Sequence, residues 1–254
     1  MDLIAALPLL LQKRGIVEFG LPDAWEAIGA FGPLLAAWIV IRRTRAAAGL
    51  ANFWRGLVRW RVGGVGLSLA LLSPVGFLLV AAALLTVATG EVPALTSGRL
   101  NNLQWMVELV LFNSVLQALG EEPGWRGYLL PALRERQRPL LATLLLFPLW
   151  WLWHLPFFLA RPEFGWPQFL GFGLGILSAS VWLTYLQERT GSTLMAVLWH
   201  AMLNFTRGIA LAFSTSLFLT YGAVVTIGAL AIVVWWLTHD QQFSRRRGSG
   251  RDRL

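Results

Sequence analysis

The 254-residue sequence contains no cysteine. That excludes a thiol nucleophile, a disulfide framework and a thiolate metal site. Charge is scarce: 13% of residues are Asp, Glu, Lys or Arg, against the ~25% of an ordinary soluble domain. Lysine is nearly missing, with Lys13 standing alone among 21 basic residues. Such an arginine bias is what a GC-rich bacterial genome would give. No His-Glu-x-x-His, Gly-x-Ser-x-Gly or Gly-x-Gly-Asp motif occurs, so the usual zinc-helix, serine-elbow and membrane-aspartate signatures are all absent. What is abundant is apolar: 56% of residues are hydrophobic, above the ~45–50% of soluble chains, and the excess points to lipid. No soluble domain of ordinary size fits between the apolar runs.

Those runs lie near 24–41, 64–89, 104–122, 139–160, 166–187, 193–213 and 216–238. Each approaches the ~20 apolar residues that cross a bilayer. The expected fold is all-α, a polytopic transmembrane helical bundle of about seven spans. A single membrane domain covers 1–243, followed by a basic, disordered tail over 244–254. The run at 104–122 is the weakest, because it carries Glu108, Asn113 and Gln117. Residues 1–11 are apolar but too short to cross, and Lys13 and Arg14 follow them, the reverse of a secretory signal, so no cleaved signal is expected. The topology of 1–23 stays open. Within 47–62, Leu50, Phe53, Trp54, Leu57 and Val58 follow helical spacing with Arg55 and Arg59 off that face. This reads as an interfacial amphipathic helix on anionic headgroups. If the 42–63 loop is cytoplasmic, strict alternation puts fifteen arginines inside and four basic residues outside. That asymmetry follows the positive-inside rule and places the C-terminal tail in the cytoplasm. It also explains the net charge of +8 without nucleic acid as a partner. Gly171, Gly173 and Gly175 form a GFGLG run. No strand precedes it, so it reads as a helix-packing stripe instead of a phosphate loop.

An ionisable side chain at mid-bilayer costs ~2.5–3.5 kcal/mol on insertion scales, so each one is a functional candidate. The candidates are Glu108, Glu121, Glu122, Arg126, His154, His200 and Arg207, with Asn204 as a strong hydrogen-bonding group. Glu122 and Arg126 are four apart and share a face if the helix runs through Pro123. Glu121 is turned away from that pair and suits a general base. Pro123 with Gly120, Gly124 and Gly127 is expected to loosen the helix and open room near the carboxylates. Pro156 frees the carbonyl of Leu152, an acceptor for the His154 ring. His200 and Asn204, four apart, can present two donors to one cavity, as an oxyanion hole needs. These residues leave two chemistries open: a carboxylate that activates water, or a metal held by Glu121, His154 and His200.

Three motifs in order resemble the CPBP (Abi) family, which includes type II CAAX prenyl endopeptidases and bacteriocin-processing or self-immunity proteins. Glu121-Glu122-Pro123-Gly124-Trp125-Arg126 is similar to the family's Glu-Glu-x-x-x-Arg. Trp150 to His154 is similar to its Phe-x-x-x-His, with Trp in place of Phe, and His200 to Asn204 to its His-x-x-x-Asn. The resemblance covers 104–210 firmly and the flanking spans by hydropathy. It implies an intramembrane endopeptidase with no covalent intermediate and no required cofactor, acting on a membrane-anchored peptide or protein. In that reading Glu121 and His154 activate the water, His200 and Asn204 stabilise the oxyanion, and Glu122 and Arg126 support the cavity. A metal-dependent version, a non-catalytic immunity or binding protein, and a proton-coupled transporter are the alternatives.

Overall fold

The computed structural model describes residues 7–8, 11–12, 15–17, 26–44, 46–93, 98–159 and 165–248. Among these residues all regular structure is helical. In chain order the helices are α1 (Glu26–Ala30), α2 (Gly32–Thr44), α3 (Ala46–Val58), α4 (Gly63–Thr89), α5 (Leu103–Arg134), α6 (Pro139–Leu159), α7 (Trp166–Thr190), α8 (Thr193–Phe213) and α9 (Thr215–Gly248). Six of them, α4 to α9, are long and apolar enough to cross a membrane. Their outer faces carry rows of exposed leucine, isoleucine and valine, such as Leu72, Leu79 and Val87 on α4 and Leu219, Ile227 and Leu230 on α9. Apolar surface on that scale belongs against lipid. The chain is a multi-pass membrane protein.

The span expected at 24–41 is corrected. It is two helices that break at Phe31. Pro33 has no N–H to continue the upstream turn, and Phe31 closes a tight turn onto the Ile28 carbonyl instead (3.3 Å). Of the two pieces α2 is the longer, and its 13 residues rise only ~20 Å. The six remaining spans still put the 42–62, 134–138, 188–192 and post-239 segments at one end. Contacts bear this out: Ser192 Oγ donates to the Arg59 carbonyl (2.6 Å), and Arg134 pairs with Glu188 across the same end. Gly191, in the left-handed region at φ 59°, makes the short turn from α7 into α8. Ser192 then caps α8 by accepting from the Met195 N–H (3.3 Å).

A helix is present at the place expected for the interfacial one, as α3, with its apolar face divided. Phe53 is buried against α2, and Leu50 and Leu57 pack beside it, whereas Trp54 and Val58 stay exposed. The disordered tail expected from 244 is also corrected in part: helical backbone runs on to Gly248. Residues 249–254 lie outside the described residues, as do most of 1–23, so expectations for them are untouched.

α8 is the central element. It packs on α4, α5, α7 and α9. Small residues of α4 at turn spacing, Gly66, Ala70, Pro74 and Ala81, are its buried face, and small residues let membrane helices approach closely. Buried hydroxyl and indole groups tie neighbouring helices: Thr143 to Thr184 (2.9 Å), Ser178 to Thr226 (3.0 Å), Thr206 to Tyr221 (2.7 Å) and Trp182 to the Val225 carbonyl (3.1 Å). In the GFGLG run only Gly173 is a packing glycine. A Cβ there would lie 2.7 Å from the Trp151 ring, while Gly171 and Gly175 face open space.

Candidate active site

The winding of α5 changes twice near the site. Wide, π-type turns cover Glu108–Leu116 and Trp125–Leu129, and an ordinary α segment, Gln117–Gly124, lies between them. Inserted wide turns shift the register of every side chain beyond them. The helix does run through Pro123. Glu122 and Arg126 therefore share a face, and Arg126 Nη1 donates to Glu122 Oε1 at 3.0 Å. Both side chains are fully buried, each 0% exposed. The glycines do not open room near the carboxylates, as expected from sequence. They seal the back of the site. A Cβ on Gly120 would sit 2.6 Å from the Ala30 carbonyl, and one on Gly124 2.4 Å from the Pro33 carbonyl. The break between α1 and α2 thus rests directly behind the two glutamates.

Glu121 faces α6. Trp150 Nε1 donates to Glu121 Oε2 at 2.5 Å. Glu121 Oε1 lies 3.9 Å from His154 Nε2. The α-helical winding of α6 stops at Trp153. The His154 N–H bonds the Trp151 carbonyl (3.1 Å) in a tightened turn, so the Trp150 carbonyl is left to the His154 ring, which takes it at 2.8 Å through Nδ1. The ring does not use the Leu152 carbonyl, the acceptor suggested by Pro156. Because a carbonyl only accepts, Nδ1 carries the proton, and Nε2 turns its lone pair toward Glu121.

Trp150 is almost fully buried, and its indole also forms the floor for Arg126, whose Cζ lies 4.0 Å from the ring centroid. The Trp150 ring meets His200 edge-on at 5.5 Å. His200 Nδ1 lies 2.8 Å from Glu122 Oε1. That oxygen also takes the Arg126 hydrogen bond, which identifies Glu122 as the accepting carboxylate and His200 Nδ1 as a donor. Nε2 is then the free nitrogen of His200. Arg126 Nη2 reaches Ser180 Oγ at 3.5 Å.

Asn204 is one turn further along α8. Its amide donates to the Asn113 carbonyl (3.0 Å) and to Gln117 Oε1 (3.3 Å). The wide turn explains the first bond: the Gln117 N–H goes to Ser114 O, leaving the Asn113 carbonyl outside the usual i to i+4 ladder. Gln117 lies one turn before Glu121, on the same side of α5.

The structure therefore brings together Glu121, Glu122, Arg126, His154 and His200, with Asn204 adjacent and held to α5. It leaves Glu108 out, bonded to Gln104 Nε2 at 2.9 Å. Sequence reasoning missed Gln117 and the donor role of Trp150. The four-residue spacings from Gln117 to Glu121 and from Trp150 to His154 are the signals that could have found them. Among the described residues no group of three His, Asp or Glu side chains is arranged to hold a metal ion.

Residues 103–206, which contain all of these groups, match the family model described as type II CAAX prenyl endopeptidase Rce1-like. A CAAX prenyl protease 2 from Methanococcus maripaludis is 28% identical over 134 residues, 50% of this chain and 49% of the relative. The chain thus spans about half the length of the curated relative it matches.

Proposed function

We propose, from a chain whose residues 103–206 belong to the CPBP family of membrane proteases, that it is an intramembrane endopeptidase acting on a membrane-associated peptide or protein. The observation that carries this reading is the pairing of Glu121 Oε1 with His154 Nε2 at 3.9 Å. That separation is too wide for a direct hydrogen bond and suits one bridged by water. Both atoms are acceptors, so a water between them gives one hydrogen to each and turns its lone pair to a substrate carbonyl. Glu121 takes the proton as oxygen adds to carbon, and the proton then passes to the leaving amine as the C–N bond breaks.

His200 and Asn204 are the proposed oxyanion donors. With Nδ1–H held by the Glu122 carboxylate, His200 donates to the oxyanion from Nε2 only as the imidazolium, in which both ring nitrogens carry a hydrogen. Asn204 contributes when the substrate oxygen replaces Gln117 Oε1, the longer of its two acceptors. Glu122 and Arg126 fix the His200 ring and the Trp150 floor. The same reading puts the arginine-rich end and the C-terminus in the cytoplasm. It does not include a prenyl group on the substrate.

The test is cleavage of a membrane-anchored peptide pool by the purified protein in detergent. Glu121→Gln is expected to lower the rate by about 10²–10⁴-fold, the usual contribution of a general base, with an unchanged melting profile. Chelator treatment is expected to leave the rate of the unsubstituted protein intact. Equal cutting by Glu121→Gln overturns the base, and loss on chelation restored by a divalent ion establishes the metal-dependent alternative.

A further inference from the structure

Arg207 is a cation for which the described residues provide no anion. It lies inside α8, half-buried, and among the described residues it makes no hydrogen bond or ion pair. The contrast with Arg126 is direct, since that guanidinium is taken up by Glu122, Ser180 and the Trp150 ring. Arg207 has only aromatic company: its Cζ lies 6.0 Å from the centroid of Phe172. Its titratable neighbours are Tyr221 and His154, neither of them a carboxylate. A cation placed in a spanning helix without a counter-charge is unfavourable, and such residues pair with something or mark a substrate path.

The position of Arg207 says what that partner is. It follows Asn204 by three residues and His200 by seven, so the three side chains share one face of α8. The Phe172 ring that it approaches is also packed edge-on against His154, with centroids 4.9 Å apart. Arg207 and His154 thus adjoin the same ring, which limits their separation to roughly 11 Å, about three residues of extended peptide. An anion that reaches Arg207 while a carbonyl sits at Glu121 and His154 belongs to the same substrate chain.

We infer that Arg207 is a specificity residue of this site: it binds a carboxylate carried by the substrate within about three residues of the scissile bond. The inference rests on the endopeptidase reading for what the substrate is, and on Arg207's own surroundings for its charge. Two sources supply a carboxylate there, the chain's C-terminus or an Asp or Glu side chain.

The experiment reads binding without turnover. Glu121→Gln protein in phosphatidylcholine nanodiscs is offered a degenerate pool of short lipid-anchored apolar peptides in three forms: free C-terminal carboxylate, C-terminal amide, and amide with one internal Glu. Retention of a carboxylate form over the plain amide by about tenfold or more is expected, the size of a charge-assisted contact. Adding Arg207→Gln removes the preference, and Arg207→Lys keeps part of it. The form retained identifies the source. Equal retention of all forms, or a preference that survives Arg207→Gln, overturns the assignment. So does a result in which Arg207→Gln changes only the retention of phosphatidylglycerol added to the same nanodiscs, which makes the partner a lipid phosphate. Cleavage by the Glu121 protein is measured in parallel. Cutting without carboxylate preference sinks Arg207 alone, and carboxylate preference without any cutting sinks the protease reading alone.

Discussion

At the scale of single residues, Trp150 does the most to organise the site. Its indole N–H holds Glu121, its carbonyl holds the His154 ring, and its π face lies under Arg126. Only the first of these needs tryptophan. Trp150→Phe keeps a ring under Arg126 and keeps the backbone carbonyl, but leaves Glu121 Oε2 without its donor. A net hydrogen bond of about 1–2 kcal/mol corresponds to a loss of about 5–30-fold in kcat. KM is expected to stay within about twofold, because the lost bond orients the base and makes no contact with the substrate itself. Steady-state kinetics with any cleaved peptide checks this, and an unchanged kcat removes the positioning role. Much of the site could be read from the sequence because burial of charge is costly in a membrane, so Glu121, Glu122, Arg126, His154 and His200 stood out in apolar runs. The pairing of Glu122 with Arg126 followed from spacing alone. Trp150 did not stand out, since tryptophan in a membrane helix is ordinary packing or interface material. Gln117 counted only as a weak point in its span. Asn204's acceptor on the α5 backbone could not be read at all, because the Asn113 carbonyl leaves the i to i+4 ladder at a wide turn that leaves no mark on hydropathy.

At the scale of elements, the back wall of the site depends on two backbones in contact. Gly120 and Gly124 on α5 let the α1–α2 break come within a distance that no Cβ tolerates. The obstructing atoms are the Ala30 and Pro33 carbonyls, which cannot swing aside as a side-chain tip can. Gly124→Ala is expected to push α5 off α2, with a stability loss of about 1–3 kcal/mol from overpacking. It should also lower the cleavage rate by on the order of 10²-fold, since shifts near 1 Å spoil catalytic alignment. Gly76→Ala on α4 is the control: nothing lies within 4 Å of its added Cβ, and alanine in a helix interior gains ~0.5–1 kcal/mol over glycine. Thermal melts in detergent and the peptide assay separate the two, and an unperturbed Gly124→Ala protein removes the back-wall argument. Hydropathy gave the six long spans closely, because length and composition are all that crossing lipid requires. It failed at 24–41, where composition looks continuous but Phe31-Gly32-Pro33 interrupts the hydrogen bonding. The amphipathic spacing found α3, yet could not say that Phe53 would turn to the protein and Trp54 away from it.

At the scale of the whole molecule, the arginine distribution and the contacts of the helix ends point to one arrangement. The basic segments around Arg59, Arg134 and Arg189 meet at the same end of the bundle. The opposite end, where Asn101 precedes α5, carries few positive charges. With an even number of crossings between α4 and α9, the post-239 segment shares the arginine side whether or not α1 and α2 enter the bilayer. Positive-inside bias predicts that this side is cytoplasmic. The absence of native cysteine turns this into a clean measurement, because any single introduced thiol is the only one in the chain. Arg136 and Asn101 are both exposed, at opposite ends of α5. In intact cells a membrane-impermeant maleimide is expected to label Asn101→Cys and to spare Arg136→Cys, and after lysis to label both. Labelling of Arg136→Cys alone in intact cells would invert the protein, placing its C-terminal helix end outside. Labelling of both in intact cells would mean that α5 does not cross. The second result would also displace the catalytic proposal, since Glu121, Glu122 and Arg126 lie within α5, between the two labelled positions.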